Sequence, residues 1–212
     1  MKLLLVAATL PEIQPLLSKF SIENNCDENS IGKHTIKTLI TGAGMVPTAF
    51  STGRHLANSS YDLAINLGIA GSFDFNLKLG DVCLVKEDTF AELGAEDGED
   101  FLSFDNLGLG ITSQSDRPNP GFTAGNLKEV TAITVNKVHG HELSIAKAIS
   151  RFNPQIESME GAAFFYACNQ SEIPCIQIRS VSNYVERRNR EKWDIALAIK
   201  NLNETIINLL EI

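Results

Sequence analysis

Leu3-Leu4-Leu5-Val6-Ala7-Ala8 is an unbroken apolar run of strand length, the pattern of a central strand covered on both faces. Thr9 and Pro11 follow in the places of a helix cap and a first-turn proline. Ile13, Leu16, Leu17 and Phe20 then recur at helical spacing. The chain thus opens as strand, turn and helix, with Glu12 just past the carboxyl end of the strand. The alternation continues. Further strands are predicted over residues 35–40, 63–67, 81–90, 130–135, 156–159 and 175–182, and helices over 46–57, 141–151, 161–169 and 192–210. In the last helix Ile195, Ile199, Leu202, Ile206 and Leu209 form one apolar stripe, expected to be core. Residues 91–126 break the rhythm. They are acidic, rich in Gly, Pro, Asn and Asp, and expected to be irregular, with 95–100 a solvated loop and Pro118-Asn119-Pro120-Gly121 a turn. So long a stretch within one domain often belongs to a lid or an interface. Strands alternating with helices predict a single α/β domain over residues 1–212 with a largely parallel sheet.

Composition narrows the class without naming a function. The 212 residues suffice for one sizeable domain, and 43% hydrophobic with 21% charged residues fits a soluble globular chain. A net charge of −8 weighs against nucleic acid, whose phosphates need clustered Lys and Arg. The densest basic run, Arg187-Arg188-Asn189-Arg190, lies between Glu186 and Glu191. No apolar run approaches the roughly 20 residues that span a bilayer. The leucine run after Lys2 faintly resembles a signal peptide, but Pro11-Glu12 follows with no polar cleavage region, so a buried strand and a cytoplasmic location are expected. Cys26, Cys83, Cys168 and Cys175 share no C-x-x-C spacing, so no metal is expected and a reduced compartment is the simplest setting.

Two glycine turns follow strands: Gly42-Ala43-Gly44 and Gly68-Ile69-Ala70-Gly71. Each is a place where backbone N–H groups can meet an anion, and each is equally a tight structural turn. Glu160 stands where a short apolar strand meets a helix start. A first-turn acid favoured by the helix dipole and an acceptor for two adjacent sugar hydroxyls weigh evenly there. For Glu12 the pattern alone favours the first-turn acid. Arg179 interrupts the apolar strand that ends at Asn183, and a buried arginine must be paired, either structurally or at a crevice. His139 and His141 flank a glycine, and lone histidines are more often structural; His34 and His55 read as surface or packing residues.

Val-Ala-Ala-Thr-Leu-Pro-Glu12, Gly-Ile-Ala-Gly-Ser72, Glu-Ser-Met159-Glu160-Gly-Ala-Ala and Arg179-Ser-Val-Ser-Asn183 occur in that order. With them the chain resembles the purine nucleoside phosphorylase/nucleosidase superfamily over nearly its whole length. Glu92-Leu-Gly-Ala-Glu-Asp-Gly98 and Ser182-Asn-Tyr-Val-Glu-Arg-Arg-Asn-Arg190 with Trp193 make it look most like the futalosine hydrolases. The resemblance implies a three-layer nucleoside phosphorylase-like fold with a mixed sheet, no cofactor, a purine nucleoside and water as partners, and a homodimer or larger homo-oligomer. It implies that Glu12 activates water near Arg179, that Met159 packs on the ribose, and that Glu160 binds the 2′ and 3′ hydroxyls. Gly71 and Ile69 would line the substrate pocket, with Ile69 replacing a serine that many related nucleosidases place near the water. Asn183 takes the base-recognition position where adenine-specific nucleosidases carry Asp, and its amide can donate to N7 and O6 of a 6-oxopurine. Neither glycine turn holds an Arg or Lys to bind phosphate as a nucleophile. The benzoate end of futalosine invites a cation from Arg187, Arg188 or Arg190, although a surface arginine is the ordinary reading of each.

Overall fold

In a computed structural model, residues 1–22 and 28–211 are described, so Cys26 lies outside the described residues. In chain order the elements are β1 (Lys2–Ala7), α1 (Leu10–Lys19), β2 (Asn29–Ile31), β3 (His34–Ile40), α2 (Met45–Leu56), β4 (Leu63–Ser72) and β5 (Val82–Phe90). There follow β6 (Gly94–Asp97), β7 (Asp100–Ser103), β8 (Ser113–Ser115), β9 (Lys128–Thr134) and α3 (Glu142–Phe152). The chain ends with β10 (Ile156–Ser158), α4 (Gly161–Gln170), β11 (Cys175–Tyr184), a 3₁₀ turn at Arg190–Lys192 and α5 (Ile195–Glu211).

The fold is one α/β domain built on a mixed sheet. Among the described residues the main sheet has nine strands in the order β10-β9-β5-β11-β4-β1-β3-β2, with β8 added on β5. β1 runs parallel to β3 and β4, and β11 parallel to β4, whereas β5 runs antiparallel to β11. β10 pairs with β9 on one side and with β4 on the other. That second pairing closes β10, β9, β5, β11 and β4 into a ring.

Side chains of a strand alternate between faces, and β1 divides its leucines accordingly. Leu3, Leu5 and Ala7 pack with Ile13, Leu16 and Leu17 of α1 and with Leu202, Ile206 and Leu210 of α5. Leu4 and Val6 pack with Leu56 of α2 and with Phe164, Phe165 and Cys168 of α4. Three layers result, as the apolar run requires. Cys83, Cys168 and Cys175 are free and buried. No described helix is long and apolar enough to cross a membrane.

Three sequence expectations need correction. Gly68-Ile69-Ala70-Gly71 is not a turn: β4 continues through it to Ser72. The glycines serve side-chain space there rather than chain reversal. Residues 91–126 are not irregular throughout, because β6 and β7 form an antiparallel hairpin and β8 joins β5. The hairpin is largely exposed, which leaves it without the apolar alternation that marks a half-buried strand. The α5 stripe is not all core either; its first turns, Ile195 and Ile199, line a cavity.

Candidate active site

A cavity of about 570 Å³ opens beyond the carboxyl ends of β1, β3, β4 and β11. Such crevices are the usual ligand sites of open α/β sheets, and the volume lies within the range for small-molecule pockets. Glu12, Ile69, Gly71, Met159, Glu160 and Asn183 all line it. Arg179 does not; it lies beneath the wall, 1% exposed.

Glu12 is held from three sides. Thr9 caps α1, and the Glu12 carboxylate accepts the Thr9 N–H at 2.9 Å and its hydroxyl at 2.8 Å. Its other oxygen accepts the Ile69 N–H at 3.2 Å. Ile69 thus contributes through its backbone, which tolerates the missing serine hydroxyl. Ser72 does not supply a replacement, because its hydroxyl is turned to the carbonyls of Asp74 and Gln155.

Glu160 is the N-cap of α4, yet its side chain makes no capping bond to its own helix. One carboxylate oxygen accepts the Gly44 N–H at 3.0 Å and the other the Met159 N–H at 3.2 Å. Gly44 holds φ at 101°, a conformation that favours glycine and presents its N–H across the β3–α2 turn. The anion met by that glycine turn is therefore the chain's own carboxylate.

Arg179 carries the charge under both acids. Its Nη1 lies 3.6 Å from Glu160, its Nε donates to Gln177 at 2.7 Å and its Nη2 to the Asn66 side chain. Gly68 explains the packing: a Cβ there would collide with Arg179 Nη1 and come within 3.0 Å of Glu12 Oε1. Gln177 in turn donates to Asp88 at 3.1 Å, and Thr134 donates to the same carboxylate at 2.7 Å while accepting the Ala162 N–H of α4. Burial lifts the Asp88 carboxyl to about 6, against the hydrogen bonds from Thr134 and Gln177 and the charge of Arg179. One polar network thus supports the helix end that carries Glu160.

Asn183 sits at a bulge in β11, where the register against β4 shifts between Val181 and Asn183. Bulges re-aim side chains, and this one sets Asn183 opposite Gly71. The amide orientation is fixed by chemistry: the Tyr184 carbonyl can only accept, so Nδ2 faces it at 3.0 Å, while Oδ1 accepts the Ser182 hydroxyl at 2.8 Å. One N–H of the amide is left uncommitted by these bonds.

Sequence alone did not join the remaining wall residues, although Arg188 was among its candidate cations. His139 and Glu157 line the cavity as a hydrogen-bonded pair, 2.6 Å between Nδ1 and Oε2. Arg188 and Trp193 also line it, with the guanidinium 4.9 Å above the indole. The Arg190 guanidinium lies over the same indole at 5.9 Å. The signal for the buried network was present in the spacing: Gln177 and Arg179, two apart in one strand, share a face. No such signal joined Glu157 to Gly71, which meet only because β10 closes on β4.

With this geometry the comparisons are unambiguous about class. A family model for the phosphorylase superfamily matches residues 2–212. The chain belongs to the phosphorylase superfamily. It is 30% identical over 182 residues to futalosine hydrolase of Thermus thermophilus, covering 81% of this chain and 80% of that one. It is 26% identical over 234 residues to 5′-methylthioadenosine/S-adenosylhomocysteine nucleosidase of Colwellia psychrerythraea, covering 99% and 96%. The solved futalosine hydrolase of Helicobacter pylori superposes with a TM-score of 0.81 at 15% identity, covering 100% and 97%, a likeness of fold. These relatives are N-glycosidic hydrolases, and this chain is an enzyme of that class.

Proposed function

We propose that the chain hydrolyses the N-glycosidic bond of a 6-oxopurine nucleoside, and that the nucleoside is futalosine, released as hypoxanthine and dehypoxanthine futalosine on an alternative route to menaquinone. The observation that carries the base assignment is Asn183, whose oriented amide keeps an N–H available at the cavity wall. A permanent donor stabilises charge developing on a departing purine, whereas an Asp must first be protonated to do so. Met159 and Glu160 hold the ribose, Glu160 accepting from its 2′ and 3′ hydroxyls. Glu12 orients and deprotonates the water that attacks C1′, through an oxocarbenium-like transition state. Arg179 acts from beneath as the counter-charge of Glu160.

Water rather than phosphate is favoured as nucleophile on electrostatic grounds. Glu12, Glu157, Glu160 and Glu186 all line the cavity. The Gly44 and Ile69 N–H groups, which could have cradled phosphate, are already bound by two of these carboxylates. Arg188 lines the wall beside Trp193, which favours it over Arg187 and Arg190 as the cation for a 5′ benzoate-bearing substituent. Val46 and Phe50 on α2 are 77% and 65% exposed, and an exposed apolar pair favours a homodimer that would cover it, testable by sedimentation. The setting is the cytoplasm, where the buried thiols stay reduced.

Incubation with futalosine in phosphate-free buffer, followed by chromatography, is the test. Hypoxanthine release at a rate unchanged by added phosphate is expected. Phosphate-dependent release would make the chain a phosphorylase, and adenine release from methylthioadenosine with futalosine untouched would make it an adenine-specific nucleosidase.

A further inference from the structure

Gly71 is flanked by two side chains that face one end of the cavity. Asn183 pairs with it across β11 and Glu157 across β10. A Cβ on Gly71 would lie 3.2 Å from Asn183 Nδ2 and 3.5 Å from Glu157 Cγ. The base-reading amide and the Glu157 side chain are therefore neighbours. Glu157 is a carboxylate only 4% exposed, and nothing in the proposed reaction uses it.

Its bonds fix one proton of His139 at Nδ1. One Glu157 oxygen accepts the backbone N–H of His139 at 3.0 Å, and a backbone N–H can only donate. The other oxygen takes Nδ1 at 2.6 Å, so the ring nitrogen there carries the proton. A neutral imidazole protonated on Nδ1 has its lone pair on Nε2. We propose that the His139–Glu157 pair is a second base-reading element, in which Nε2 of His139 accepts the N1–H of a 6-oxopurine beside the donor of Asn183. A 6-oxopurine presents O6 as acceptor and N1–H as donor. Adenine presents the reverse, N6–H₂ and an N1 lone pair, and would set a lone pair against a lone pair. The pair deepens the function proposed above, since it rests on the purine lying at the Asn183 end.

Calorimetric titration of hypoxanthine and adenine into wild type, Glu157→Gln and His139→Phe tests this, with thermal melts to check folding. In Glu157→Gln the amide oxygen must take the His139 backbone N–H, which turns the N–H₂ towards Nδ1. That reverses the imidazole tautomer and makes Nε2 a donor. The hypoxanthine-to-adenine affinity ratio should fall by on the order of tenfold or more, with adenine binding kept or improved. His139→Phe should lower the ratio through hypoxanthine alone. A structural role would weaken both bases together, and equal losses or an unchanged ratio overturn the proposal while wild type still prefers hypoxanthine. Wild type that binds neither base, or prefers adenine, overturns the 6-oxopurine reading as well.

Discussion

Replacing Asp88 by Asn isolates the electrostatic load stored beneath the site. The carboxyl is wholly buried and its pKa is lifted from 3.8 to about 6, chiefly by desolvation. A raised carboxyl binds its proton more tightly in the folded chain than in the unfolded one. Its contribution to stability is therefore fully present below about pH 4 and is lost as pH rises through about 6. The separation between those two values corresponds to about 3 kcal/mol. Asn cannot titrate, so the variant lacks that loss. It carries a separate, pH-independent cost of about 1 kcal/mol: Gln177 must keep donating, because its oxygen is committed to Arg179, and Thr134 then loses its acceptor. Urea unfolding of both proteins across about pH 4 to 7.5 reads the difference. The stability difference should move by about 3 kcal/mol across that window, from a wild-type advantage of about 1 kcal/mol to a deficit of about 2 kcal/mol, and level off above it. Parallel stability curves would refute the assignment of a raised carboxyl at this position.

Three further substitutions probe the wall. Glu12→Gln removes the proposed general base while keeping the shape, and kcat should fall by roughly 10²–10⁴-fold with the melting temperature little changed; near-wild-type turnover would remove Glu12 from the role. Gly68→Ala drives a methyl group into Arg179 and towards Glu12, so activity should collapse and stability drop by about 1–3 kcal/mol, and a fully active variant would show that the two side chains are not held as described. Asn183→Asp should lose hypoxanthine nucleosides before adenine ones in kcat/KM measurements, and an unchanged base preference would sink the amide readout.

The parts of this molecule that could be read from sequence are those set by local periodicity. β1 and α1 follow from an unbroken apolar run and a capped helical stripe, and that geometry alone puts Glu12 at a strand end. Arg179 stood out because a charge inside an apolar strand demands partners. What stayed hidden depends on contacts between distant segments. Gly68 and Gly71 read as turn residues, whereas their missing side chains make room for Arg179 and for the Asn183–Glu157 neighbourhood. His139 looked like an isolated loop histidine because its partner lies 18 residues on, in a strand whose place is set by ring closure. Ile195 and Ile199 carry the same helical spacing as the core residues after them, and only the position of the cavity separates the two groups.

An enzyme built as proposed hydrolyses a 6-oxopurine nucleoside in preference to an adenine one. Futalosine and methylthioadenosine, offered together at equal concentration in phosphate-free buffer, measure it in a single reaction through the initial rates of hypoxanthine and adenine release. Hypoxanthine should dominate by on the order of a hundredfold or more, the discrimination expected when buried polar groups would be left unpaired by the wrong base. Adenine released as fast as hypoxanthine, or faster, would contradict it.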